Sequence, residues 1–95
     1  MSDITVKAFK MVSGEEIVAR VVSENDDSFL VSKPLVLMAT PHESGQMQIG
    51  MIPWMMTAQE GDLELAKQSI AATTTPAKQF EDGYLQQTTN IALGA

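Results

Sequence analysis

The chain has 95 residues, 44% of them hydrophobic, and its twelve Asp and Glu against six Lys and Arg give a net charge of -6. This length allows one domain with one modest core, and the acidic balance argues against a protein that grips duplex DNA by general phosphate neutralisation. Because the chain has no cysteine, disulfides, thiolate metal sites and cysteine nucleophiles are excluded.

Two strands joined by a tight turn open the chain, over residues 4–12 and 15–23. Apolar side chains alternate with others along both segments, which is the period of half-buried strands. In the first segment Ile4, Val6 and Ala8 alternate with Thr5, Lys7 and Phe9, and in the second the alternate apolar residues are Ile17, Ala19 and Val21. Gly14 is expected to supply the positive φ that a short hairpin turn requires.

A polar turn at 24–28 leads into a third strand over 29–39. Pro34 falls inside this strand, and because proline cannot donate to a ladder we expect an edge position or a bulge there. The fourth strand is predicted over 46–56, with alternate methionines on one face until Pro53 disturbs the register.

The end of the chain changes from strand to helix periodicity. A fifth strand is predicted over 63–73, and Thr75 and Pro76 are suited to the N-cap and first position of a helix. Apolar residues then recur at three-to-four spacing, namely Ala77, Phe80, Tyr84, Leu85 and Ile91. Gly83 should weaken this helix by about 1 kcal/mol relative to alanine.

These elements predict a mainly β fold, a small and strongly bent five-stranded barrel with one C-terminal α-helix. We expect a single domain, with the barrel over 1–75, a long hairpin over 38–57 and the helix over 76–91. The longest apolar run, 50–56, is broken by Pro53 and is far shorter than the about 20 residues of a membrane helix. With no signal-peptide pattern visible either, we expect a cytoplasmic protein without a membrane partner.

Enzymatic function is not expected. His42 is the one histidine, and its loop has no partner pattern for acid-base catalysis or metal binding. Glu15 and Glu16 are adjacent on a strand, so their side chains point to opposite faces. No phosphate-binding loop or nucleophile motif is present, and the chain is expected to use no cofactor and no metal.

Methionine and tryptophan concentrate in the third and fourth strands, at Met38, Met47, Met51, Trp54, Met55 and Met56. They could fill the core, because methionine fits irregular gaps. They could equally form an interface, because Met and Trp are enriched in interface cores. The candidate interface residues are Met47, Met51, Trp54 and Met56.

The segment 65–72, Leu-Ala-Lys-Gln-Ser-Ile-Ala-Ala, is followed by a proline and resembles the last strand of the Sm-like family. In the bacterial Hfq branch that place carries Tyr-Lys-His-Ala-Ile-Ser-Thr, also followed by a proline. Lys67 falls on the lysine, Gln68 on the histidine and Ile70 on the isoleucine. The turn at 12–14, Val-Ser-Gly, is similar to the family's Val-Asn-Gly turn, and Asp26 falls on the acidic residue after the second strand.

The order of barrel and C-terminal helix further resembles short Sm-like proteins encoded by tailed phages, including marine ones. The chain departs from the family in Ala19, often a glycine, and in Ala66, often an aromatic residue that stacks on bases. In most family members the helix precedes the barrel, whereas here it follows, and their hairpin between the third and fourth strands is shorter than the one in this chain.

The resemblance implies an SH3-like barrel that assembles into a homo-oligomeric ring of roughly five to seven subunits. It also implies binding of single-stranded nucleic acid, RNA or DNA, with a role in its processing. Lys67 would contact phosphate or a base edge, Gln68 and Ser69 would offer hydrogen bonds, and Phe29 would be a stacking surface. Two alternatives stay open. The chain could be a structural or adaptor oligomer of phage origin that binds only protein, and Lys67 could be an ordinary exposed lysine.

Overall fold

The computed structural model describes residues 5–55 and 61–94, with side chains described up to residue 88. Within these ranges the chain forms six strands, a short 3-10 turn and one α-helix. The strands are β1 (Val6–Met11), β2 (Glu16–Glu24), β3 (Ser28–Pro41), β4 (Met47–Pro53), β5 (Asp62–Ala66) and β6 (Ile70–Thr74), the 3-10 turn is Lys67–Ser69, and the helix α1 is Lys78–Gly94. The predicted mainly β fold with a C-terminal helix is confirmed. No helix in the described part of the chain is long and apolar enough to span a membrane.

The strands form one antiparallel sheet in the order β4-β3-β2-β1-β6, and β5 also pairs with β3. β5 lies along residues 28–32 of β3, while β4 lies along residues 35–41. β4 and β5 therefore lie end to end along β3 and together take the place of a single neighbouring strand. β6 pairs with β1 at the other end of the order, so the 3-10 turn carries the chain from one end of a strongly bent sheet to the other.

This crossing corrects the prediction of one fifth strand over 63–73. The segment contains two strands, β5 and β6, which pair with different partners. A single straight strand could not reach both β3 and β1, so three residues leave the extended conformation between them. The apolar pattern alone carries no sign of this break.

Both faces of the β1–β2 hairpin are covered. One face contributes to the barrel interior, where the buried cluster consists of Phe9, Met11, Ile17, Ala19, Val31 and Leu65. The opposite face contributes to a second cluster against the helix, with Val6, Val18, Leu35 and Tyr84. The alternation in β1 predicts Phe9 on the same face as Thr5 and Lys7, opposite the apolar set, yet Phe9 is only 1% exposed. Period-two patterning could not separate the two faces because both are apolar.

A bulge between β2 and β3 confirms the prediction for Pro34. Val18 pairs with Leu35 and Arg20 pairs with Ser32, so Ala19 alone faces two residues of β3. The extra residue is accommodated by Lys33, whose φ is 51°. Gly14 has a φ of 108°, which confirms the predicted role of glycine in the first turn.

The helix α1 is attached at this bulge through Tyr84. Its hydroxyl accepts a hydrogen bond from the Arg20 N–H at 3.0 Å. The single hydroxyl proton is shared between the carbonyl oxygens of Ser32 at 2.9 Å and Lys33 at 3.0 Å. Burial raises the pKa of Tyr84, against a smaller lowering effect of the Arg20 N–H and charge. A tyrosine on the helix thus supplies polar contacts where the regular strand pairing is disturbed.

The helix begins two residues later than expected. The Ala77 carbonyl accepts the first bonds, from the N–H groups of Phe80 and Glu81 at 2.9 and 3.0 Å. Ala77 therefore occupies the N-cap position, and the prediction of Thr75 as the cap is wrong. Gly83 faces β4: a Cβ there would lie 3.1 Å from the Met51 Cε atom. A residue with a Cβ at this position would require the end of the Met51 side chain to shift slightly.

Candidate nucleic-acid interface

Lys67 is the first residue of the 3-10 turn, and its side chain is held between a carboxylate and an aromatic ring. The Lys67 N–H donates to the Asp27 carbonyl at 2.8 Å, which fixes the turn against the β2–β3 loop. The Nζ atom donates to Glu24 Oε2 at 2.7 Å. It also lies 5.2 Å from the centroid of the Phe29 ring, within the range of a cation–π contact.

Phe29 connects this site to the barrel core. Its ring is half-buried and meets the ring of Phe9 edge-on, with centroids 5.2 Å apart and planes at 64°. Phe9 belongs to the buried interior cluster. The ring beneath Lys67 is therefore positioned by core packing, although Lys67 itself remains partly exposed.

Two clefts flank Lys67. The first, of about 350 Å³, is lined by Glu24, Phe29, Lys67, Ile70, Ala71, Ala72 and Thr73. The second, of about 620 Å³, is lined by Asn25, Asp26, Asp27, Ser28, Glu64, Ala66, Lys67 and Gln68. Three acidic residues against one lysine make the second cleft electrostatically unfavourable for a phosphate. The first cleft, with one carboxylate paired to one ammonium, is the better candidate site.

The four residues predicted to bind nucleic acid do not form one surface. Lys67 and Phe29 are in contact and share the first cleft. Gln68 is exposed and lines the second cleft. Ser69 is half-buried, and its carbonyl accepts the Val12 N–H at 2.9 Å, which ties the 3-10 turn to the β1–β2 turn.

Sequence reasoning missed Glu24, the direct partner of Lys67. The sequence at 24–28 predicts a polar turn, in which Asx side chains can bond the local backbone, and it does not single out Glu24. That interpretation is confirmed, because Asn25 Oδ1 accepts the N–H groups of Asp27 and Ser28 at 2.8 Å. Glu24 is 43 residues from Lys67 in sequence, and no local pattern indicates that they meet.

The methionine and tryptophan residues divide between packing and exposure. Met51 is half-buried and packs with the helix-side cluster, whereas Trp54 packs against the barrel interior. Met47 is 62% exposed, and Met56 lies outside the described residues. The exposed apolar side chains of this hairpin and the residues after it are Met38, Met47, Ile49, Ile52 and Met55. The core interpretation is therefore supported for Met51 and Trp54, and Met47 stays available for an interface.

Trp54 also takes part in a polar contact at the start of β2. Its indole Nε1 donates to Glu15 Oε2 at 3.1 Å, and the Ser13 hydroxyl donates to the other oxygen of that carboxylate. These bonds lower the pKa of Glu15, the Ser13 bond contributing more than the Trp54 bond. The turn at 12–14 and the end of β4 are thereby joined.

His42 lies in an exposed loop between β3 and β4, with Nδ1 3.1 Å from the Ser44 hydroxyl. Over residues 5–55 and 61–94, no group of three or more His, Asp or Glu side chains is arranged to hold a metal ion.

The family model of the Sm-like domain matches residues 8–84. The chain belongs to the Sm-like family. The matched region runs from the third residue of β1 to the seventh residue of α1. Sm-like proteins are generally non-enzymatic, oligomeric and RNA-binding. A comparison with curated proteins found no match.

Proposed function

We propose that this Sm-like protein forms a homo-oligomeric ring of roughly five to seven subunits and binds single-stranded nucleic acid, with RNA as the preferred ligand and DNA as the other. The binding residues are Lys67, Phe29, Gln68 and Ser69, and the function is a role in RNA or DNA processing. The observation that carries the proposal is the position of Lys67, which lies on the 3-10 turn above Phe29 inside the family domain. A base or phosphate that entered the first cleft would meet the ammonium group and the aromatic ring together.

The sheet edges support assembly. In the described residues β4, β5 and β6 each pair with one strand only, which leaves backbone N–H and C=O groups along their outer sides. Pairing of β6 with the β4 or β5 edge of a neighbouring subunit would satisfy these groups and remove the exposed edges. Met47, Met51, Trp54 and Met56 are the proposed apolar part of this interface.

Light scattering of the purified protein tests the ring, and Met47→Asp tests its apolar part. Met47 is largely exposed, so a charge there should lower the oligomer mass without affecting the fold of the subunit. Trp54→Ala should lower both oligomer mass and melting temperature, because Trp54 also packs on the core. A monomer at micromolar concentrations would contradict the ring, and an unchanged mass for both variants would exclude the hairpin from it.

Titration with labelled oligo-U and oligo-A at low and at physiological salt tests nucleic-acid binding. We expect weak to moderate binding that falls steeply with salt, since phosphate contacts release counterions. Lys67→Glu should abolish it, because ring symmetry repeats the change in every subunit. Lys78→Glu is the matched control: Lys78 lies at the start of the helix, with its side chain 86% exposed.

The second candidate function is a structural or adaptor oligomer of phage origin that binds only protein. The exposed apolar side chains of the β3–β4 hairpin favour it, as does the acidic character of the second cleft. An intact ring that retains neither oligonucleotide at low salt would favour this function. Normal binding by Lys67→Glu would instead move the nucleic-acid site elsewhere on the ring.

A further inference from the structure

Glu24 occupies the place at Lys67 that a phosphate would have to take. Its Oε2 atom lies 2.7 Å from the Lys67 Nζ atom, and both side chains line the first cleft with Phe29. The lysine charge is thus balanced before a ligand arrives. A phosphate would have to displace the carboxylate or be repelled by it, so this pair is poorly suited to phosphate binding alone.

A base edge can use both members of the pair, since the carboxylate accepts from N–H groups and the ammonium donates to a carbonyl oxygen. Guanine presents two adjacent N–H donors, N1–H and N2–H, beside the acceptor O6. Uracil offers the carboxylate one N–H, while adenine and cytosine place an amino group beside a bare ring nitrogen. Guanine alone therefore matches a bidentate carboxylate with a neighbouring ammonium.

We propose that Glu24 makes the first cleft selective for guanine in single-stranded RNA. The two Glu24 oxygens accept N1–H and N2–H, and Lys67 bridges from Oε2 to O6. Phe29, held by Phe9, keeps the Lys67 ammonium in place, and the apolar wall of Ile70, Ala71 and Ala72 suits the flat face of a purine. This proposal rests on the proposed function, nucleic-acid binding at the first cleft, and adds which base that cleft selects.

The test uses four labelled RNA heptamers, in which three uridines flank each side of a central G, A, C or U. Each is titrated at low salt against the wild-type oligomer, Glu24→Gln and Glu64→Gln. Glutamine has one acceptor oxygen and an NH₂ donor in place of the two carboxylate oxygens, so it cannot make the bidentate contact, and it no longer neutralises Lys67. Glu64 is exposed and lines the second cleft, so its variant removes the same charge nearby. Oligomer mass is measured for each protein.

We expect wild type and Glu64→Gln to bind the G heptamer about tenfold more tightly than the other three, within the range for a bidentate base contact. Glu24→Gln should lose this preference and bind all four similarly. A wild type without preference, together with equal tightening of all four by Glu24→Gln, would show that Glu24 only shields Lys67 and would overturn the proposal. If no heptamer binds any of the three intact oligomers, the proposed function itself fails, and guanine selection with it.

Discussion

The Tyr84 contact and the Lys67 contact both join distant parts of the chain through one polar group, but they differ in what holds that group. The Tyr84 hydroxyl bonds three backbone groups of β2 and β3, and the residue is 1% exposed. The Lys67 ammonium and the Glu24 carboxylate are joined by one side-chain ion pair, and these side chains are 32% and 54% exposed. Backbone groups in a buried site are fixed by the sheet and have no water to bond instead, whereas two side chains at the surface can change rotamer and bond water or a ligand. The first contact is therefore suited to stability and the second to binding.

Removing the Tyr84 hydroxyl should have the larger effect on stability. Tyr84→Phe keeps the ring in the helix-side cluster but leaves the Arg20 N–H and two carbonyls without this partner. We expect the free energy of unfolding to fall by about 1–3 kcal/mol, the cost of unsatisfied buried groups, with oligonucleotide binding unchanged. Denaturant unfolding of both proteins measures this.

Thr88→Val is the matched control for Tyr84→Phe. Thr88 is buried, and its hydroxyl donates to the Tyr84 carbonyl at 2.8 Å, one turn earlier in the same helix. It removes one local hydrogen bond, with an expected loss of about 1 kcal/mol. An equal or larger loss than in Tyr84→Phe would show that the tyrosine hydroxyl contributes no more to stability than one local hydrogen bond of the helix.

The raised pKa of Tyr84 predicts a loss of stability at alkaline pH. Burial favours the neutral phenol in the folded state, so the unfolded chain gives up its proton first as the pH rises. The contribution of the neutral Tyr84 phenol to folding stability is present in full at pH values below the pKa of tyrosine in the unfolded chain, about 10. It is lost progressively above that value, until the folded pKa is passed. Unfolding experiments between neutral pH and pH 11 should show a steeper decline for wild type than for Tyr84→Phe, and parallel curves would contradict the assignment.

The same two regions show what the sequence could predict. The Gly14 turn, the strands around it and the bulge at Pro34 follow from local rules, because backbone limits on glycine and proline act within a few residues. The helical spacing predicts Tyr84 on the apolar face of the helix, but its hydroxyl partners lie 51 to 64 residues away in sequence. Lys67 and Phe29 were selected through the family resemblance, and Glu24 was missed because its contact depends on how β5 and the 3-10 turn return to the β2–β3 loop.

Breaking the Lys67–Glu24 pair should have little effect on stability. The Lys67 side chain is partly exposed and the Glu24 side chain is exposed, and an ion pair at the surface contributes about 0–1 kcal/mol. We expect Lys67→Ala to change the free energy of unfolding by less than about 1 kcal/mol while weakening oligonucleotide binding. A loss as large as that of Tyr84→Phe would mean that Lys67 is structural, and the contrast between the two contacts would not hold.

Gly83 allows the smallest and most specific test of the helix contact. Alanine in a helix interior is favoured over glycine by about 1 kcal/mol, but at this position its Cβ would lie 3.1 Å from Met51 Cε. Because that atom is the end of a flexible side chain, Met51 can shift at a modest cost that offsets part of the gain. We expect Gly83→Ala to stabilise the protein by a few tenths of a kcal/mol, less than the about 1 kcal/mol of helix propensity. A double-mutant cycle with Met51→Ala separates the two effects, since the gain from Gly83→Ala should increase when the Met51 side chain is shortened. An equal gain in both backgrounds would show that the Met51 side chain does not oppose a Cβ at position 83.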